Sequence, residues 1–349
     1  MNQITTERKT TAEKESSPAE TLGDVYSTPI GEGIILHVCP GKQISWEEFK
    51  KCTPPHSIAL DGLVWGKPQL DRVEKRANFN HHEEVERFAT RCTTSQVFMA
   101  IKDGTLDIFK DPVSGAPRIN IYVNDPDQDS SFAVWLLKHH ERCKGTKSEP
   151  SMMRLLFAED MLDTTAGLYP FYPDSKLARQ MAWVFEPYVA ARLDGRLWNM
   201  KGPEMANVID AVGLRIDRYV LGEAESVPLD TRYSVIGGGP GWSMVKMVGF
   251  YARSLLRQNG ITAYVAYGGE HNGRHKYSLG KLSPADLLPI KELYDYLNQL
   301  EGFDPGNGPH WGGSDTIGGS PRPLGSSLSP KELEQAINSF LERMNGELH

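Results

Sequence analysis

Three carboxylates in five positions, Asp125, Asp127 and Asp129, lie in the run Arg118 to His140, RINIYVNDPDQDSSFAVWLLKHH. Carboxylates this close repel one another unless something positive joins them, and hard oxygen ligands suit Mg²⁺ or Mn²⁺. The alternative is local: Asp125 makes a turn with Pro126, and Asp129 or Ser130 caps the following helix without any metal. The adjacent pair His81 and His82 in NFNHHEEVE forms a second group. Neighbouring side chains point in different directions, so one histidine can hold a metal while the other meets substrate or a carboxylate. Asp61, followed by Gly62, suits either a ligand at a strand end or a turn. Asp163, ahead of Thr164, Thr165 and Gly167, reads as a ligand on a loop or as a helix cap.

These side chains need elements that aim them. The β-branched run Ile119, Ile121, Val123 predicts a strand, and an apolar helical pattern from Ser131 to Lys138 follows the acidic loop. In open α/β sheets ligands sit beyond the carboxyl ends of the strands, which is where that loop falls. Further strands are expected over Ile34 to Val38 and Ser57 to Leu60, with a short helix after Trp46 between them. Glu83, Glu84 and Glu86 suggest the start of a helix, and Thr90 to Met99 a small-residue turn entering another. Trp183 and Trp198, in a Trp-, Leu- and Ala-rich helical stretch, are expected in the core.

A second unit is expected to begin near Tyr233. YSVIGGGPGWSMVKMVGFYARSLLRQNGITAYVAY reads as strand, glycine-rich turn, amphipathic helix and strand. Gly237, Gly238, Gly239 and Gly241 would let backbone N–H groups approach a phosphate, or would permit only a tight turn. His271 to Ser283 reads as a hairpin, PIKELYDYLNQLEG as a helix, and HWGGSDTIGGSPR (His310 to Arg322) as an exposed loop suited to an anion. A last helix starts at Ser329-Pro330. The expected organisation is a disordered tail over residues 1–27, a metal-binding α/β domain over 28–225 and a smaller glycine-rich α/β domain over 226–349. The fold class is α/β, a doubly wound and mainly parallel sheet joined to that second domain.

With 349 residues the chain is long enough for about two domains. A net charge of −7 argues against a generally basic nucleic-acid surface, while small anions can still bind through metal ions. The four cysteines form no CxxC pair, so neither a zinc site nor a dense disulfide framework is indicated, and a reducing cytoplasm is the simplest setting. No stretch offers the roughly 18 uninterrupted apolar residues of a membrane span.

Taken together, these motifs resemble the superfamily of metal-dependent phosphoesterases named for its Asp-His-His motif. NFNHH (Asn78 to His82) resembles the naming motif, with Asn80 where Asp is usual. DPDQDSS (Asp125 to Ser131) resembles the first acidic motif, with Val123 where a histidine is usual. Asp61 resembles the strand-end aspartate that bridges two metals, Asp163-Thr164 the later Asp-Thr motif, and GGSDTIGGSPR the glycine-rich substrate loop. The acidic motif here follows the His-His motif, a permuted order that still leaves every ligand at one sheet edge. The resemblance covers about residues 55–345. It implies two Mn²⁺ or Mg²⁺ ions held by Asp61, His81, Asp127, Asp129 and Asp163, with His82 and Asp125 as catalytic groups. It further implies a substrate site at Gly312, Gly313, Ser314, Asp315, Thr316, Gly318, Gly319 and Arg322. The implied activity is hydrolysis of a phosphodiester or phosphoanhydride in a nucleotide or short oligonucleotide. The implied partner is a phosphorylated small molecule or such an oligonucleotide; a homodimer is admissible and a membrane is not expected. Two other readings compete. One is a dinucleotide-dependent oxidoreductase, from IGGGPGW (Ile236 to Trp242), against which Trp242 in the third-glycine position counts. The other is a catalytically silent nucleotide or anion binder on the same fold.

Overall fold

The structure, a computed structural model, describes residues 22–346 apart from 148, 284, 287 and 307. Its first part contains strands β1 (Tyr26–Gly31), β2 (Ile34–Val38), β3 (Ser57–Leu60), β4 (Gln69–Asp71), β5 (Arg76–Phe79) and β6 (Ile119–Val123). They form one sheet in the order β1-β2-β6-β3-β5-β4. The four central strands run parallel, and the two edge strands run antiparallel to their neighbours. All four residues of β3 and four of the five in β6 are buried, the pattern of strands covered on both faces.

The helices of this part are α1 (Trp46–Cys52), α2 (Thr93–Lys102), α3 (Gln128–Lys138), α4 (His140–Cys143), α5 (Pro150–Thr164), α6 (Lys176–Val184), α7 (Glu186–Leu193) and α8 (Gly202–Val220). One core joins Ile58, Leu60, Ile121 and Val123 of the sheet to Val97, Phe132, Leu136, Leu155, Ile209 and Val212 of the helices and to Phe185 between α6 and α7. Parallel register sets Leu60 beside Phe79 and Ala59 beside Tyr122, so the loops leaving β3, β5 and β6 emerge at one sheet edge. Those loops carry Asp61, the His81-His82 pair and the acidic run.

The second part holds β7 (Tyr233–Gly239), β8 (Trp242–Met247), α9 (Arg253–Leu256), β9 (Ala263–His271), β10 (Arg274–Lys281), α10 (Ile290–Glu301), β11 (Gly312–Gly313), β12 (Ile317–Gly319) and α11 (Pro330–Gly346). Its sheet has the order β11-β12-β10-β9-β8-β7 and is antiparallel except between β8 and β9. Leu293, Leu297, Leu333 and Ile337 of the helices pack with Val265, Leu279 and Trp311. Ser329 and Glu332 exchange backbone and side-chain hydrogen bonds at the start of α11, and Pro330 occupies its first position. Leu168, in the loop after α5, packs with Val245, Leu256 and Tyr264 and ties the two sheets' layers together.

Several expectations need correction. Residues 1–21 of the expected tail lie outside the described residues, but Leu22 is buried and Tyr26 begins β1, so the fold starts before residue 28. Glu83 to Glu86 do not begin a helix: Glu84 takes a left-handed backbone (φ 56°), and only the short 3₁₀ turn Arg87–Ala89 follows. The glycine-rich run 236–242 closes the β7–β8 hairpin instead of opening a helix. Its glycines make room for α11, because a Cβ on Gly239 would collide with Oδ1 of Asn338. Without a helix after that turn, the dinucleotide fingerprint has no structural counterpart. The run His310 to Arg322 is a hairpin at the sheet edge, not an exposed loop: Thr316, Gly319 and Ser320 are buried, although Arg322 is exposed. Trp183 is in the core as expected, but Trp198 is 72% exposed. Among the described residues no helix is long and apolar enough to cross a membrane.

Candidate metal centre

His81 is wholly buried at the end of β5. Its Nε2 lies 2.7 Å from Oδ2 of Asp163, and 3.6 Å from both Oδ1 of Asp61 and Oδ2 of Asp129. None of these approaches has hydrogen-bond geometry, and both ring nitrogens are otherwise without a partner. A buried imidazole nitrogen facing three carboxylate oxygens either carries a proton between them or, once deprotonated, joins them as a donor set that a divalent cation could use. The ligand atoms fall into two groups that share His81: His81 with Asp129 and Asp163, and Asp61 with His81 and His82.

Each carboxylate is held by its surroundings. Asp61 stands at the end of β3 with φ 45°, and its Oδ1 accepts from Thr93 Oγ1 and pairs with His82 Nε2, both at 2.9 Å. Asp129 accepts from the backbone N–H groups of Thr93 and Thr94, each at 2.7 Å, so it sits on the positive end of α2. Asp160 supports the same helix end by accepting from Cys92 N at 2.9 Å. Asp127 is the N-cap of α3, accepting from Ser130 N at 2.8 Å. The cap is thus Asp127, not Asp129 or Ser130. Asp163 lies in the last turn of α5, neither on a loop nor at the cap, where Arg87 donates to its backbone oxygen at 2.9 Å.

Asp125 and Asp127 lie outside both ligand groups. They are nonetheless close enough to Asp61 for its charge to push both of them up. Oδ1 of Asp125 is buried without a partner. Arg192 of α7, hydrogen-bonded to Tyr188, offers Asp125 a compensating positive charge.

The site is overloaded with negative charge. Burial, then the charges of Asp61 and Asp163, push Asp129 up to about 7; burial and Asp61 push Asp125 up to about 6. Asp127 and the buried Glu159 are driven well above the usual carboxylate range by burial and neighbouring carboxylates. Asp61 and Asp163 go the other way. Burial opposes their charge, but His82 and His81 outweigh it for Asp61, and His81 and Arg87 do so for Asp163. His82 is disfavoured as a cation by burial, and Asp61 reverses that and raises it. Such a cluster either keeps protons or takes up a cation.

Asn80, standing where Asp is usual in the resembling motif, has a structural explanation. Its amide nitrogen faces three acceptors: the carbonyls of Val64 (3.3 Å) and Gly66 (2.8 Å) and Oε2 of Glu83 (2.7 Å). Its oxygen accepts from the backbone N–H groups of His81 and His82 and so orients the pair. A carboxylate could not donate to those three oxygens. Val123, at the usual histidine position, is fully buried in the core and contributes no ligand.

The residues expected to bind substrate are not brought to this cluster by any hydrogen bond or ion pair among the described residues. Ser314 accepts from Thr316 N and Ile317 N within its own turn, and Gly318 packs against Tyr294. Sequence reasoning missed Thr93, Arg87, Glu159 and Arg192. Glu159 carries a signal in retrospect, because it precedes Asp163 by one helical turn and shares its face. Arg87 and Arg192 carry none, since only folding brings them near the cluster. A comparison with protein-family models finds no match to the chain, and a comparison with curated proteins finds none either.

Proposed function

We propose that the protein is a divalent-metal-dependent phosphoesterase of the Asp-His-His type, acting on a phosphodiester or phosphoanhydride in a nucleotide or short oligonucleotide. The observation that carries the reading is the convergence of Asp61, Asp129 and Asp163 on the unpartnered Nε2 of buried His81. The carboxylates suit Mn²⁺ or Mg²⁺, the ions the resemblance implies, while the imidazole among them also suits Zn²⁺ or Fe²⁺. A second ion, expected from the resemblance, would draw on Asp61 and Asp127. The bound metal would lower the pKa of a coordinated water and neutralise phosphate charge. His82, at the mouth of the cluster, supplies an imidazole hydrogen bond to the phosphate or leaving group. Thr93 and the N-terminus of α2 hold Asp61 and Asp129 in place while substrate binds. The glycine hairpin with Arg322 is the proposed contact for the rest of the substrate.

Metal content by mass spectrometry, paired with a Mn²⁺-dependent hydrolysis screen of nucleotides and a model phosphodiester, tests this. Asp127→Asn is the informative variant, because asparagine caps a helix as well as aspartate does but removes the charge. Stoichiometric metal, hydrolysis by the wild type and its loss in a folded Asp127→Asn are expected. Full activity in that variant would remove Asp127, and the second ion it would help hold, from the proposed site, and absence of both metal and hydrolysis in the wild type would remove the site itself. Burial of Val123 in the usual histidine position favours one competing outcome, a nucleotide or anion binder that takes up metal without hydrolysis.

A further inference from the structure

We propose that Glu159 is a further donor to the cation of the candidate metal centre, supplying the ligand that Val123, in the usual histidine position, does not. The inference rests on the metal centre of the phosphoesterase reading and is independent of whether hydrolysis follows.

Two adjacent carboxylates of α5 stand in opposite circumstances. Asp160 is buried with its oxygens taken: Oδ1 accepts from Cys92 N at 2.9 Å and Oδ2 from Arg91 Nη1 at 3.0 Å. Glu159 is only 1% exposed, and its Oε2 has no hydrogen-bond partner among the described residues. Nor does any ion pair reach it there, because Arg87 and Arg91 pair with Asp163 and Asp160. A buried carboxyl group in that condition is costly to keep, and a fold retains one where a proton or a cation answers it.

Placement on the helix favours the cation. Residues four apart on a helix lie one above the other on one face, and Glu159 precedes Asp163 by one turn. Asp163 meets Nε2 of His81 at 2.7 Å, and Asp160 reaches the N-terminus of α2, where Thr93 and Thr94 hold Asp129. The face of α5 that carries Glu159 is therefore the face turned to the centre. Burial, then the charges of Asp129, Asp163, Asp61 and Asp160, push its carboxyl well above the usual range, in keeping with that position.

The donor count leaves room for it. His81, Asp129 and Asp163 offer one ligand atom each, and octahedral Mg²⁺ or Mn²⁺ accepts further oxygens beyond those three. Neither ligand group takes in Glu159 as its side chain stands. A glutamate has one more rotatable bond than an aspartate, and its terminal torsion is soft, so a cation can draw the carboxylate in by rotation. Asp160, already held by a backbone N–H and an arginine, has no such freedom.

The test is read without turnover. Mn²⁺ affinity of the full chain is measured by titration calorimetry near pH 8, with thermal midpoints before and after saturation, for the wild type, Glu159→Gln and Asp160→Ala. Glu159→Gln keeps the shape and removes the charge, while Asp160→Ala removes a charge of the same sign one residue away and so reports the field alone. Glu159→Gln is expected to weaken Mn²⁺ binding about 10–100-fold, and more than Asp160→Ala does. Its metal-free midpoint is expected to match or exceed the wild type's, because an unpaired buried acid has gone. A glutamate with only a structural role gives the reverse, a lower metal-free midpoint with unchanged affinity, and that result overturns the proposal. A loss of affinity no greater than that of Asp160→Ala overturns it too. If Glu159→Gln does not fold, Glu159→Leu replaces it under the same rule. Wild-type protein that takes up metal without hydrolysis sinks the phosphoesterase reading alone, and the affinities still decide on Glu159; protein that takes up no metal sinks both.

Discussion

At the scale of single residues, the two histidines predict different losses. His81→Ala removes the nitrogen on which Asp61, Asp129 and Asp163 converge, so metal stoichiometry should fall to background. His82→Ala should retain metal and lose most hydrolysis, roughly the 10²–10⁴-fold typical of a positioned proton-bearing group. Equal metal loss in both variants would mean that both are ligands. Asn80 gives a second prediction, against the intuition that restoring aspartate improves the motif. Asn80→Asp sets a carboxylate against the oxygens of Val64, Gly66 and Glu83, so it should cost about 1–3 kcal/mol and give no gain in hydrolysis. A urea titration beside an activity assay reads both, and a stable, more active Asn80→Asp would refute the account. The residue types of this cluster were legible in the chain because carboxylates and histidines have few bland uses when crowded. The reason for Asn80 was not legible, since its three acceptors are set by a loop that folds back from residues 64–66 and by Glu83.

At the scale of elements, the N-terminus of α2 organises the site. Its first N–H groups, unsatisfied within the helix, are taken by Asp129 and Asp160 from two other helices. Asp160 belongs to neither ligand group, so Asp160→Ala should lose about 0.5–2 kcal/mol, the usual worth of a cap, while keeping metal. Thermal denaturation with metal analysis checks this; metal loss matching that of His81→Ala would place Asp160 in the coordination shell. Strands β2, β3 and β6 were readable from β-branched and apolar runs, and the motifs fell at the ends of β3, β5 and β6. The helix expected after His82 failed because Asn80 and the left-handed Glu84 hold that loop in another path. The glycine-rich run failed for a different reason: what its glycines accommodate is α11, about a hundred residues further on, and no local pattern reports that distance.

At the scale of the whole molecule, stability, protons and metal are one linked system. The order of the motifs along the chain does not disperse the candidate ligands, because parallel strands deliver their following loops to one edge in any chain order. What that edge gathers is a group of carboxylates that resist ionisation together. Asp125 and Asp129 ordinarily titrate near 3.8 and are raised in the fold to about 6 and about 7. Between those limits the folded chain holds protons that the unfolded chain has released. Their contribution is therefore full below pH about 4 and is lost as pH rises through about 7. Asp61 and Asp163 have the opposite sign, with stability present above the ordinary carboxylate range and lost only in acid, so they do not act in that window. A divalent cation bound among these carboxylates would take the place of the missing protons and release those that remain. The thermal midpoint gained on saturation with Mg²⁺ should accordingly be small near pH 5 and larger near pH 8, and the calorimetric enthalpy of binding near pH 6 should vary with the ionisation enthalpy of the buffer. A gain independent of pH, with no proton released, would show that the cation does not bind among these carboxylates.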